Sequence, residues 1–96
     1  MEPESCTSMR EVRAGIDALD REILALIAKR MRYMQAAARI KSHRVDVRDE
    51  ERKAEVIANA RRVAAELGVP PDLAATLWEV LVEGSIAYEF ERFDQR

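Results

Sequence analysis

Cysteine occurs once, at Cys6, so no disulfide can close within the chain and no thiolate cluster can hold a metal. A bystander thiol in a reducing compartment is the simplest reading. Glycine occurs three times and never as a glycine-rich loop, which excludes a backbone cradle for nucleotide phosphates. Two Phe, two Tyr and one Trp are too few for an extended base-stacking platform. With a net charge of −2, the chain has no overall pull toward nucleic acid or an acidic membrane. No apolar run nears the ~20 residues a membrane span requires. The opening MEPESCTSMR is acidic and lacks an apolar core, so it is not read as a secretory signal, and the expected location is cytoplasmic. His43 is the sole histidine, with no cast around it for a catalytic triad or a zinc site. It is read as solvated, and neither metal nor cofactor is expected.

What the chain does have is helical periodicity. Its 96 residues, 48% apolar and 35% charged, suit one all-α domain over 1–96, with residues 1–7 as a flexible lead-in. Ser8 and Glu11 form a capping-box pattern ahead of a long first helix, from about Met9 to Lys41. Along it Val12, Ile16, Leu19, Ile23 and Leu26 recur at steps of four and three, an apolar stripe on one side. Residues 42–48 read as a loop. Asp49 caps a second helix that stops at Gly68, and Pro70-Pro71-Asp72 opens a third that runs to about Phe93. A first helix of this length spans roughly 50 Å, whereas a compact chain of this size has a radius of gyration of only ~12–13 Å. The remaining residues cannot cover both ends of such a rod. An obligate homodimer, with first helices paired, is the expected solution.

Charged residues interrupt the apolar pattern at informative places. The stripe next falls on Arg30, where an apolar residue is due. Lys41 lies about 20° around the helix from Arg30 and roughly 16 Å further along, with Ala37 and Ala38 between them. Two cations on one apolar seam outline a pocket for an anion. An unpaired buried guanidinium is costly, so Arg30 needs either an internal carboxylate or a bound anion, and both readings stand. Lys41 alone would be ordinary compensation of a helix C-terminus. Arg13 points about 100° away from Arg30 and reaches that pocket only from a second chain. Ser85 and Glu89 share a face of the third helix at i, i+4, though Glu89, in the run YEFERF, reads in isolation as a surface carboxylate. Arg44, Arg48, Arg61 and Arg62 would be the contacts of a nucleic-acid reading, which the acidic balance and scarce aromatics oppose.

The run EVRAGIDALDREILALIAKRM, followed by Lys41, VRDEER at 47–52 and SIAYE on the third helix, resembles the all-helical chorismate mutases. It is most similar to the branch containing isochorismate-pyruvate lyases, which the short segment between Lys41 and Arg52 also resembles. The resemblance covers nearly the whole chain. It implies an intertwined homodimer of three-helix chains, with Arg13 of one subunit joining Arg30, Lys41 and Arg52 of the other around a small dicarboxylate. Arg13 and Arg30 would hold the carboxylates and Lys41 would donate to the ether oxygen. Arg52 would close over the ligand, while Asp49 and Ser85 line the ring. Two positions depart from the family pattern. Glu89 stands where glutamine is usual and must carry a proton to donate a hydrogen bond. Lys53 stands where similar mutases have a glutamate for the ring hydroxyl.

The resemblance thus implies a chorismate mutase that converts chorismate to prephenate in one concerted pericyclic step, without cofactor or metal, and that also accepts isochorismate. The alternative main activity is isochorismate-pyruvate lyase, yielding salicylate. The alternative of another class is a non-catalytic helical dimerisation module with Arg30 locked in an ion pair. Partners are a small dicarboxylate and a second copy, with neither nucleic acid nor membrane expected.

Overall fold

The all-α expectation is met. The computed structural model describes residues 1–96 as three α-helices, α1 (Met9–Ile40), α2 (Glu50–Leu67) and α3 (Pro71–Asp94). Single 3-10 turns occur at Pro3–Ser5 and Arg44–Asp46. No helix is long and apolar enough to cross a membrane. The chain divides into two units, Met1–Arg32 and Tyr33–Arg96.

In the first unit the capping box forms as the residues suggest. The Glu11 amide donates to Ser8 Oγ at 3.2 Å, while Ser8 Oγ and Thr7 Oγ1 each donate to Glu11 Oε1 at 3.0 Å. Those hydrogen bonds, Thr7's first, hold the Glu11 carboxyl below the usual carboxylate range. The apolar stripe is not covered within this unit. Ile16, Leu19, Ile23 and Leu26 are 49%, 54%, 53% and 68% exposed.

In the second unit α2 and α3 form a helical hairpin. Asp49 caps α2 by accepting from the Arg52 amide at 3.0 Å. Gly68 ends α2 in the left-handed region (φ 78°), its amide returning to Ala64 and Ala65 carbonyls, and Pro71 occupies the first turn of α3. Ion pairs stitch the two helices: Arg61 to Asp72 (2.7 Å) near the turn, Lys53 to Glu79 (2.7 Å) and Glu83 (2.9 Å) further off. Partners rise in number along α3 as they fall along α2, which is the register of an antiparallel pair. The face of α3 buried within the unit is Ala74, Ala75, Val82, Ser85 and Glu89. Hydropathy along this helix picks out Leu73, Leu77, Val80, Leu81 and the small Gly84 as one side, which is not the face that is buried. Leu73, Leu77 and Val80 are each more than half exposed. Small residues allow close approach inside the chain, and the larger apolar ones face away from it. The last turns of α1 join this unit through buried Ala38 and a 2.6 Å bond from Gln35 Nε2 to the Tyr88 hydroxyl.

Two outcomes follow. At Gly68 an added Cβ meets no atom within 4 Å, so Gly68→Ala suffers only from its backbone conformation. It should cost roughly 1–2 kcal/mol and lower the melting temperature by about 4–8 °C per kcal/mol, read by thermal circular dichroism. An unchanged midpoint would show that the left-handed turn is not needed. Glu83 accepts hydrogen bonds from Arg48 and Lys53, in that order of effect, and its pKa is lowered to about 2. A depressed carboxyl stabilises the fold above its unfolded pKa near 4.5 and loses that contribution as pH falls toward 2. The stability gap between wild type and Glu83→Gln, measured by urea unfolding, should therefore be full at pH 6 and shrink steadily from about pH 4.5 to pH 2. A gap independent of pH would rule the linkage out.

Candidate active site

Glu89 contradicts its surface-like surroundings in sequence. It is 4% exposed and stands one turn from Ser85, which is 3% exposed, on the inner face of α3. The stripe Ala74, Trp78, Val82, Ser85, Glu89, at steps of four and three, carries both inward, a signal available in the sequence but masked by the charges of YEFERF. Ser85 Oγ donates back to the Leu81 carbonyl at 2.7 Å, the usual way a helical serine satisfies its hydroxyl.

A buried carboxylate needs a cation or hydrogen-bond donors. Lys41 supplies them. Its Nζ lies 2.8 Å from Glu89 Oε2 and donates more weakly to the Val47 carbonyl at 3.4 Å. With 31% of its side chain exposed, Lys41 keeps one side open while Glu89 is closed in. Lys41 is therefore more than a compensating charge at a helix end. It follows directly after the last residue of α1, and its main chain is tied down by Arg96. Arg96 Nη1 donates to the carbonyls of Ala38 (3.0 Å) and Lys41 (2.6 Å), with its guanidinium 3.8 Å from the Phe93 ring centre. A guanidinium thus satisfies carbonyls that the end of α1 leaves open.

The remaining candidate positions are less tightly drawn in. Asp49 spends one carboxylate oxygen on capping α2. The exposed Arg52 side chain bonds Glu55 one turn along its own helix. On α1, Arg13 is exposed and Arg30 is half-buried. Lys53 Nζ is held by Glu79 and Glu83 and is only 18% exposed, so its ammonium is committed to the α2–α3 interface. The four arginines weighed for nucleic acid each meet an acid: Arg44 with Asp94, Arg48 with Glu83 and Glu50, Arg61 with Asp72, Arg62 with Glu66. His43 is exposed, and no group of acidic, histidine and cysteine side chains is arranged to hold a metal ion. A furrow of about 780 Å³ lies on the first unit beside Cys6, Val12 and Leu19. Its charged side chains are Glu2, Glu11 and Glu22, which is the wrong sign for an anionic ligand.

Comparisons with known proteins bear on what this arrangement belongs to. Isochorismate pyruvate lyase of Pseudomonas aeruginosa is 29% identical over 93 residues, covering 97% of this chain and 92% of that protein. Chorismate mutase of Methanocaldococcus jannaschii is 26% identical over 88 residues, 91% of this chain and 89% of its own length. T-protein of Enterobacter agglomerans is 38% identical over 63 residues, which is 65% of this chain but 17% of that longer protein. The model of chorismate mutase type II matches residues 12–90, a span that holds Arg13, Arg30, Lys41, Asp49, Arg52, Ser85 and Glu89 together. The chain belongs to the chorismate mutase type II family.

Proposed function

We propose that the protein is a chorismate mutase that rearranges chorismate to prephenate and also acts on isochorismate, working as a homodimer. The observation that carries the proposal is the Lys41 ammonium, half-open and directed by the buried Glu89, in a chain of this family. In the rearrangement the ether C–O bond breaks as a C–C bond forms, in one concerted step. No nucleophile is required, and none is offered. Rate comes from holding the enolpyruvyl group over the ring and from a cation meeting charge that builds on the ether oxygen. Lys41 takes the second role. By the resemblance, the two carboxylates fall to Arg30 and to Arg13 of a second copy, Arg52 closes over the ligand from α2, and Asp49 and Ser85 line the ring.

The second copy is supported by the uncovered stripe of Ile16, Leu19, Ile23 and Leu26, four large apolar side chains about half or more exposed on one helix face. Sedimentation should give twice the chain mass. A stable monomer would remove both the dimer and the role of Arg13.

One reading competes on a specific observation. Lys53 is engaged by two glutamates where mutases similar to this chain place an acid for the ring hydroxyl, and the Pseudomonas lyase aligns over nearly the whole chain. Isochorismate-pyruvate lyase is the alternative main activity: the same ether bond breaks, a ring hydrogen passes to the enolpyruvyl methylene, and salicylate and pyruvate leave. Separate incubations with chorismate and isochorismate, assayed for prephenate and salicylate, decide between them. No turnover of either, with no thermal protection by chorismate, would leave a non-catalytic dimerisation module.

On the favoured substrate, Lys41→Ala should lower kcat about 10²–10³-fold, the usual loss on removing such a donor, in a protein that circular dichroism shows to be folded. Near-normal turnover would end the role assigned to Lys41. An ionised Glu89 cannot donate to an ether oxygen. Turnover should therefore rise toward acid pH, and Glu89→Gln should flatten the profile. A flat wild-type profile would remove Glu89 as a donor.

A further inference from the structure

Nothing in α1 aims the Lys41 amine, because the helix stops one residue earlier. Glu89 on α3 supplies one fixed partner, at 2.8 Å, and the connection that follows the helix supplies the second. The Val47 side chain is buried, 3% exposed, and its carbonyl accepts from Lys41 Nζ. The stretch holding Val47 in place contains one 3-10 turn and no longer element. It is fastened to α3 on both sides of Val47 by arginine forks. Before Val47, Arg44 donates from Nε and Nη2 to the two oxygens of Asp94 (2.9 and 3.2 Å), with its guanidinium 4.5 Å from the Phe90 ring centre. After Val47, Arg48 donates from Nη2 and Nη1 to the two oxygens of Glu83 (2.8 and 3.2 Å), and Nη1 also reaches Glu50 at 2.8 Å. Along α3 the acids stand in the order Glu83, Glu89, Asp94. The two forks therefore bracket the acid that takes Lys41.

We propose that Arg48, gripped by Glu83, is a positioning residue for Lys41: with the Arg44–Asp94 fork it straps the 41–49 connection along α3 and so sets the Val47 carbonyl that aims the lysine ammonium. The inference rests on the reading of Lys41 as the group that meets the ether oxygen. Two parallel N–H···O bonds fix an angle as well as a distance, which a single ammonium does not. Arg44 and Arg48 are therefore geometric parts, although their exposed pairs add little stability as such.

The test is a cycle of three variants, Arg48→Ala, Lys41→Ala and the double variant, assayed on the better of chorismate and isochorismate, together with hydrogen exchange at the Asp46 and Val47 amides. Those amides bond to the His43 and Arg44 carbonyls at 3.0 and 3.1 Å and report the strap whether or not the protein turns over. Arg48→Ala should exchange faster at both amides. It should also lose kcat by about 10-fold to 10²-fold with little change in KM, the scale of a catalytic group misplaced by an ångström or less. The double variant should be no worse than Lys41→Ala beyond about twofold, because both changes remove one function. Arg48→Lys, which keeps the charge but not the fork, should recover only part of the loss. Unchanged exchange in Arg48→Ala overturns the strap, and unchanged kcat despite faster exchange overturns the positioning role. Fully additive losses overturn action through Lys41. A wild type inactive on both substrates fells the functional reading separately, and the exchange result then decides the strap alone.

Discussion

A carboxylate on the buried face of α3, in a residue only 4% exposed, cannot stay ionised without a counter-charge. The position of nearly everything else in the second unit can be traced to the 2.8 Å contact between Glu89 and Lys41 that meets this demand. The end of α1 must lie close enough to α3 for a lysine to reach, which Ala38 and the small inner face of α3 permit. The helix ends one residue before Lys41, which leaves carbonyls of its last turn open. Arg96 satisfies those carbonyls instead, and the following residues bring Val47 back over the amine. Breaking a buried ion pair from one side typically costs about 3–5 kcal/mol. Lys41 is partly open, which puts the cost here toward the lower end of that range.

The hairpin of α2 and α3 serves the same contact from further away. Its antiparallel register is fixed by Arg61–Asp72 and by Lys53 with Glu79 and Glu83. Glu83 is shared, since it also receives the Arg48 fork. One acid thus ties the register of two helices to the course of the segment that aims Lys41. None of these surface pairs contributes much energy by itself. Their effect is to exclude alternative placements of a segment that has little regular structure of its own.

Helix ends were the most legible part of the chain, because caps are local chemistry. Ser8 with Glu11, Asp49, Gly68 and Pro71 all act where their residue types imply. The stripe on α1 was also legible as a stripe, but a stripe says only that something must cover it. On α3 the large apolar residues drew attention away from the face that is buried, which is built of alanines, Val82, Ser85 and Glu89. Glu89 was reachable from spacing, yet the five other charged or aromatic residues of YEFERF made it look like surface. The straps were not legible. Arg44 and Asp94 stand 50 residues apart, Arg48 and Glu83 stand 35 apart, and nothing local distinguishes those arginines from solvated ones.

A glutamate rather than a glutamine at position 89 changes how Lys41 is held. A glutamine can donate to a ligand at any pH, but as a neutral group it holds an ammonium only through a weak acceptor oxygen. A carboxylate grips the ammonium strongly and fixes its direction before any ligand arrives, at the expense of having no proton to give. The two demands are met in sequence if an incoming dianion competes for Lys41. Were the ammonium to turn toward an ether oxygen, Glu89 would lose the cation that faces it at 2.8 Å. The acid that holds the lysine at rest would act as a second donor only with a proton of its own. On this account, the same burial that makes Lys41 necessary to the fold makes Glu89 useful to the reaction.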